Sequence, residues 1–242
     1  VRPALLAAIF DVDGVLVDSP HERAWREALT GFADPAGFTT AFYQANVAGK
    51  RRLEGARTAL ERLGGPQAAA RSKEYADKKQ ALIDRLIEEG SFEVFPDALR
   101  FSAALKAAGL RLALASSSKN AAAMLARLEL PDGRTLLQLF DADLSGRDVP
   151  KGKPDPALFL LAADAVETPP AQCVVVEDAP AGIRAACAGG MTALGIARLG
   201  DEALLREAGA DLVVTSLDHV EIAALAEGAL RAHARTEPVA DA

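Results

Sequence analysis

Apolar positions along this chain fall into two textures. The run Leu5-Leu6-Ala7-Ala8-Ile9-Phe10 is short and unbroken, and it ends in Asp11-Val12-Asp13-Gly14. Such a run is too short for a typical helix, and the glycine-containing turn after it predicts a buried strand over 5–10. From Pro20 to about Gly90 no strand pattern follows. Ala24 and Ala28, and Trp25 and Leu29, repeat at helical spacing, and Gly64-Gly65-Pro66 breaks the region in two. After Phe95-Pro96 the texture alternates. Strands are predicted over 110–115, 173–176, 192–196 and 210–214, with helices over 97–108, 120–128, 156–166, 181–188 and 201–207. This alternation predicts an α/β fold with a doubly wound, mainly parallel sheet and an α-helical cap inserted after the first strand. The expected boundaries are a core over 1–18 and 93–235, a helical cap over 19–92, and a disordered tail over 236–242.

Composition narrows the class. The 242 residues suffice for one large domain or a core with an inserted one, and half of them are hydrophobic. No apolar stretch approaches a membrane span, and no secretory h-region opens the chain. A net charge of −7 gives no electrostatic case for nucleic acid. Cys173 and Cys187 read as buried free thiols, which suits a cytoplasmic setting. Residues 49–79 nevertheless carry nine basic side chains against four acidic ones. Such a segment attracts a small anion such as a phosphate ester, although a solvated helical face carries similar charge.

Candidate chemistry lies at the strand ends. Asp11 and Asp13 emerge where open α/β sheets place their ligand crevices. Two uncovered acids so close together repel, and a hard cation such as Mg²⁺ offsets that repulsion through oxygen ligands. A plain strand-end turn also uses Asp and Gly. Glu177-Asp178 repeats the arrangement after Cys173-Val174-Val175-Val176. Ser116-Ser117-Ser118-Lys119-Asn120 follows another predicted strand and opens a helix. Hydroxyls and free backbone N–H groups there suit a phosphate, or simple capping. Lys153, in Lys151-Gly152-Lys153-Pro154-Asp155-Pro156, can neutralise both a phosphate and a carboxylate.

Together these residues resemble the haloacid dehalogenase superfamily of aspartate-dependent phosphotransferases. Its four motifs correspond to Asp11-x-Asp13-Gly14, Ser116, Lys153 and Glu177-Asp178, and the likeness spans essentially the whole chain, with a Rossmann-like core and inserted cap. A closer likeness is to the β-phosphoglucomutase family. His21 and Trp25 match its His-x-x-x-Trp element, Gly49 and Arg52 its Gly-x-x-Arg phosphate loop, and Lys78 its cap lysine, counted back from Phe95-Pro96. Ser116, Ser118, Lys119 and Asn120 match its second motif. His21 also reads as a partly exposed helix-start residue and Trp25 as a core anchor. The segment from Asp18 to His21 is about two residues shorter than in that family and contains Pro20, which bears on cap closure.

The resemblance implies a nucleophilic Asp11, a general acid–base Asp13, and phosphate contacts from Ser116, Ser117 and Lys153. It implies Mg²⁺ held by Asp11, the Asp13 carbonyl and Asp178, with Glu177 assisting. The implied substrate is a small phosphorylated sugar, met by His21, Trp25, Gly49, Arg52, Lys78, Ser118, Lys119 and Asn120, in a monomer with no nucleic-acid or membrane partner. The expected activity is a mutase on β-glucose 1-phosphate, with a sugar-phosphate phosphatase as the alternative. A phospho-accepting signalling module is a remote third reading. Such modules are much shorter, accept phosphate at a later strand and leave the helical insertion without a place. Asp13 argues against a dehalogenase, and Gly146 to Lys153 has the wrong spacing for a P-loop.

Overall fold

The computed structural model describes residues 3–233. Its strands are β1 (Ala7–Phe10), β2 (Val17–Asp18), β3 (Glu93–Val94), β4 (Arg111–Leu114), β5 (Ala142–Asp143), β6 (Cys173–Glu177), β7 (Thr192–Ile196) and β8 (Leu212–Val214). Six form one sheet in the order β5-β4-β1-β6-β7-β8, with parallel pairing throughout. Every residue of β1, β6 and β7 is buried. Strands covered on both faces need no polar alternation, which is why they read as continuous apolar runs.

Helices lie between the strands. Those of the first half are α1 (His21–Ala28), α2 (Thr40–Asn46), α3 (Arg52–Leu63), α4 (Gly65–Ala69) and α5 (Ser72–Glu88). The rest are α6 (Pro96–Ala107), α7 (Ala121–Leu125), α8 (Ala157–Ala165), α9 (Pro180–Ala188), α10 (Glu202–Glu207) and α11 (Ile222–Leu225). On one sheet face Phe10, Leu112 and Val176 pack with Phe101 and Leu105 of α6 and Met124 of α7. On the other, Ile9 and Val175 pack with Phe159 of α8, Ile183 of α9 and Leu205 of α10. Helices α1–α5 have a core of their own, built on Trp25, Leu29, Phe38, Leu60 and Tyr75. The Trp25 and Tyr75 rings lie 5.2 Å apart, and the buried Tyr75 hydroxyl donates to the Trp25 carbonyl. This helical cap leaves the core after β2 and returns through β3, two short strands paired antiparallel as Val17↔Val94 and Asp18↔Glu93.

Two expectations need revision, and three short strands went unpredicted. The helix predicted over 120–128 stops at Leu125, because the chain turns through Pro131-Asp132-Gly133 and bridges Glu129 to Thr135. The edge strand β5 and the β2–β3 ribbon were not predicted, being too short to carry a pattern. Cys173 is buried but Cys187 is exposed, since it lies on the outward side of α9; small neighbours do not distinguish the two faces. The tail expected over 236–242 lies outside the described residues. Among the described residues no helix is long and apolar enough to cross a membrane.

Sheet register sets up the site. Phe10 pairs with Leu114 on one side and Val176 on the other. Asp11, Ser116 and Glu177 therefore leave neighbouring strands at the same carboxyl edge. Strand order reverses between β1 and β6, the position at which open α/β sheets form a crevice.

Candidate active site

The Lys153 ammonium lies 2.6 Å from Asp11 Oδ1 and 2.6 Å from Glu177 Oε1. All three side chains are essentially withdrawn from solvent. Burial works against the Lys153 charge, but attraction from both carboxylates outweighs it and raises the pKa of the lysine. Burial likewise raises Asp11, against the attraction of Lys153 and with the repulsion of Asp13. The second oxygen of Glu177 accepts from the Ala179 amide at 3.0 Å, at the start of α9. A Cβ at position 182 would fall 1.8 Å from Glu177 Oε1, so Gly182 makes room for that carboxylate.

Asp13 sits one step outward. Burial pushes its carboxyl above the usual carboxylate range, opposed by a hydrogen bond from Ser19, the charges of Lys79 and Lys153, and a bond from Ser116. Its Oδ1 is buried and accepts no hydrogen bond of good geometry, and His21 Nε2 stands 3.3 Å away. His21 Nδ1 is 2.6 Å from the Lys79 ammonium, and His21 Nε2 is 3.4 Å from Ser118 Oγ. Burial and the charge of Lys79 hold the imidazole well below its ordinary pKa, hence neutral. Lys79 is itself lowered by burial to about 7.

These groups open into a cavity of about 500 Å³ between core and cap. The core contributes Asp11, Asp13, Asp178, Lys153 and the Ser116–Lys119 loop, and the cap contributes His21, Trp25, Tyr43, Gly49, Arg52 and Lys79. Cap and core touch directly. Ser117 Oγ donates to the Gly49 carbonyl at 3.1 Å, and Arg51 donates to the Val149 carbonyl at 3.2 Å.

A strand-end carboxylate held by a buried lysine, with a serine loop beside it and a helical cap above, matches an established family. The model of the haloacid dehalogenase-like hydrolases matches residues 5–190. The chain belongs to that family. It is 34% identical over 240 residues to a β-phosphoglucomutase of Mycobacterium bovis, covering 87% of this chain and 89% of the relative. It is similar also to a Drosophila melanogaster protein described as "Probable pseudouridine-5'-phosphatase", 32% identical over 189 residues, covering 76% and 78%. Among solved structures it resembles the archaeal β-phosphoglucomutase of Pyrococcus sp. Strain ST 04, with TM-score 0.74 and 32% identity over 93% of this chain and all of the other. Like those relatives, this haloacid dehalogenase-like protein is an enzyme.

Most site residues expected from the sequence meet in the one cavity, with three exceptions. Lys78 points elsewhere: its ammonium donates to the Thr30 carbonyl at 2.8 Å. Of the neighbours Lys78 and Lys79, Lys79 is the one that lines the cavity. The count back from Phe95-Pro96 passes through the turn after α5, and one residue along a helix rotates a side chain by about 100°. The periodicity of α5 held the better signal, because Ser72, Tyr75, Lys79, Ile83 and Leu86 are buried along one stripe. Glu177 does not line the cavity; both its oxygens are engaged by Lys153 and the Ala179 amide. Asn120 stands behind the cavity, donating to Asp84 Oδ1 at 3.2 Å. Tyr43 and Gln80 were missed. Gln80 accepts a hydrogen bond from Arg52 through Oε1, and the partly buried Tyr43 phenol is raised well above its ordinary pKa by burial and then by Asp178, Asp13, Glu22 and Asp11.

The donor set of the haloacid dehalogenase-like site fits a small hard cation. Asp178 packs against the Asp11–Gly14 loop so closely that a Cβ on Gly14 would fall 2.0 Å from its Oδ2. Burial, then repulsion from Glu177 and Asp11, raises Asp178 well above the usual carboxylate range. A divalent cation held by Asp11 and Asp178 would relieve that repulsion. Among the described residues no three carboxylate, imidazole or thiol side chains form a complete cage. Mg²⁺ does not need one, since it is held by one or two carboxylates and keeps several waters.

Proposed function

We propose that this enzyme is a Mg²⁺-dependent β-phosphoglucomutase-type isomerase, interconverting β-glucose 1-phosphate and glucose 6-phosphate through an aspartyl phosphate on Asp11. The observation that carries this reading is the presence of Arg52, on the cap side, in the same cavity as Asp11. A mutase holds one phosphate at the nucleophile and a second at the far end, and the Arg52 guanidinium suits the second.

An Asp11 carboxylate oxygen attacks phosphorus, and the bond from phosphorus to the sugar oxygen breaks. Asp13 donates its proton to that leaving oxygen; its raised pKa and free Oδ1 suit a proton carrier. In the second half Asp13 takes the proton of the acceptor hydroxyl, which attacks the aspartyl phosphate and frees Asp11. Lys153 holds Asp11 in place and offsets charge on the phosphoryl group. Asp11, the Asp13 carbonyl and Asp178 would hold Mg²⁺, which supplies further positive charge at the same group. Ser116 and Ser117 supply hydroxyls and amides for the phosphoryl oxygens, and His21 stays neutral with its Nε2 3.3 Å from Asp13.

A second reading is a sugar-phosphate phosphatase, in which water replaces the acceptor hydroxyl. The relation to a protein described as a phosphatase supports it. Product analysis with β-glucose 1-phosphate, Mg²⁺ and a trace of β-glucose 1,6-bisphosphate separates the two. Glucose 6-phosphate is the expected product. Release of only glucose and inorganic phosphate makes the enzyme a phosphatase.

A further inference from the structure

Arg198 follows β7 and reaches across the sheet edge to the outer side of the Asp11–Val15 loop. Its guanidinium donates to the Gly14 carbonyl at 3.0 Å and to the Val15 carbonyl at 3.1 Å. It also forks onto the two oxygens of Asp97, at 3.1 and 3.2 Å. Its carbon centre stacks 3.7 Å above the Phe95 ring. Asp97 is fixed in turn, accepting from Ser216 Oγ at 3.1 Å and from the Leu217 amide at 2.8 Å. Asp97 is buried, and the Arg198 side chain is only 14% exposed.

The loop that carries Asp11 and Asp13 and the cap's return path meet under this one planar group. Gly14 and Val15 continue the loop that presents Asp11 and Asp13, and its inner side abuts Asp178. Phe95 ends the return path of the cap, directly after β3, and its amide donates to the Leu16 carbonyl at 2.9 Å. Both the catalytic loop and the cap's return strand are thus pinned to Arg198, which follows the buried end of β7. A guanidinium presents several donors in one plane and a stacking face, which an ammonium does not.

We propose that Arg198, seated on Asp97, is a positioning residue that holds Asp13 and the cap's return strand in fixed relation, so that the acid–base is in place when the cap is closed. This rests on the phosphoryl-transfer reading for its kinetic consequence, but not for its structural one. A displacement near 1 Å at a reacting group lowers rate by about a hundredfold, so Arg198→Lys, which keeps the charge but loses the fork, should lower kcat about tenfold or more with KM little changed. Asp97→Asn, which weakens the seat and leaves the guanidinium, should fall between Arg198→Lys and the wild type.

The deciding experiment pairs those kinetics with amide hydrogen exchange. In both variants exchange should quicken at residues 14–17 and 93–95 together, while β1 and β6 stay protected. Faster exchange in only one of the two segments, or in neither, overturns the proposal. Faster exchange throughout β1 and β6 overturns it also, because Arg198 would then support the fold at large. A loss expressed wholly in KM refutes the link to Asp13. If the wild type transfers no phosphoryl group yet the paired exchange response appears, the functional reading fails and the clamp stands.

Discussion

The Lys79 ammonium sits 2.6 Å from Nδ1 of His21, whose Nε2 is 3.3 Å from the catalytic loop at Asp13. The adjacent Lys78 faces the other way, onto the Thr30 carbonyl. Lys79→Ala should therefore lower kcat/KM for a sugar phosphate by about tenfold to a hundredfold, through lost charge and lost placement of His21. Lys78→Ala should remain within about twofold of wild type, as expected for a surface change away from the site. Steady-state kinetics of the two single variants checks both statements.

Lys79 also gives stability a pH signature. Burial lowers its pKa from the ordinary 10.5 to about 7. Between those values the unfolded chain binds the proton and the folded chain does not, so this group makes stability rise with pH across that window. Below pH about 7 both states are protonated and the full penalty for the buried charge applies. Lys79→Met should be more stable than wild type near neutrality, and its advantage should shrink as pH approaches 10.5. Denaturant midpoints of both proteins at several pH values read the difference.

Asp178 and Glu177 are neighbours with different work to do. Asp178→Asn should raise the Mg²⁺ concentration needed for half-maximal activity by about tenfold or more, since a charged oxygen donor is lost. Glu177→Gln weakens the bonds to Lys153 and the Ala179 amide. It should lower folding stability by about 2–4 kcal/mol and shift the Mg²⁺ requirement by less than about threefold. Metal titrations of activity and urea denaturation separate the two effects.

Arg52 lines the cavity on the cap side and bonds to Gln80. A mutase needs its guanidinium at the far end of the substrate, whereas a small aryl phosphate has no far end. Arg52→Ala should thus lose about a hundredfold of glucose 1-phosphate isomerisation but only about twofold of aryl phosphate hydrolysis. Equal activity of wild type and variant on the sugar removes Arg52 from that role.

How much of this was legible in the sequence follows from how local each cause is. β1 and β6 are buried on both faces, so their apolar runs and terminal acids announced the strands and Asp11, Glu177 and Asp178 together. Two-residue strands such as β5 carry no period to read. Lys79 was legible in principle from the buried stripe of α5, but a count from one end of a turn selected its neighbour. The Arg198–Asp97 pair was not legible. It joins positions 101 residues apart, and Asp97 alone reads as an ordinary acid in the first turn of α6. Likewise the double engagement of Glu177 depends on Lys153 arriving from another loop.

Trp25 is the only tryptophan of the chain, and it forms part of the cavity wall under the Lys79 ammonium, 5.1 Å from its ring. The molecule therefore carries a single indole chromophore at the place where substrate and cap meet. Its emission has no second source to dilute it, and a charged group hovers over the ring. Loading of the cavity, withdrawal of Lys79 and movement of the cap all act on the same optical signal, so the native protein can be followed by its own fluorescence without a label.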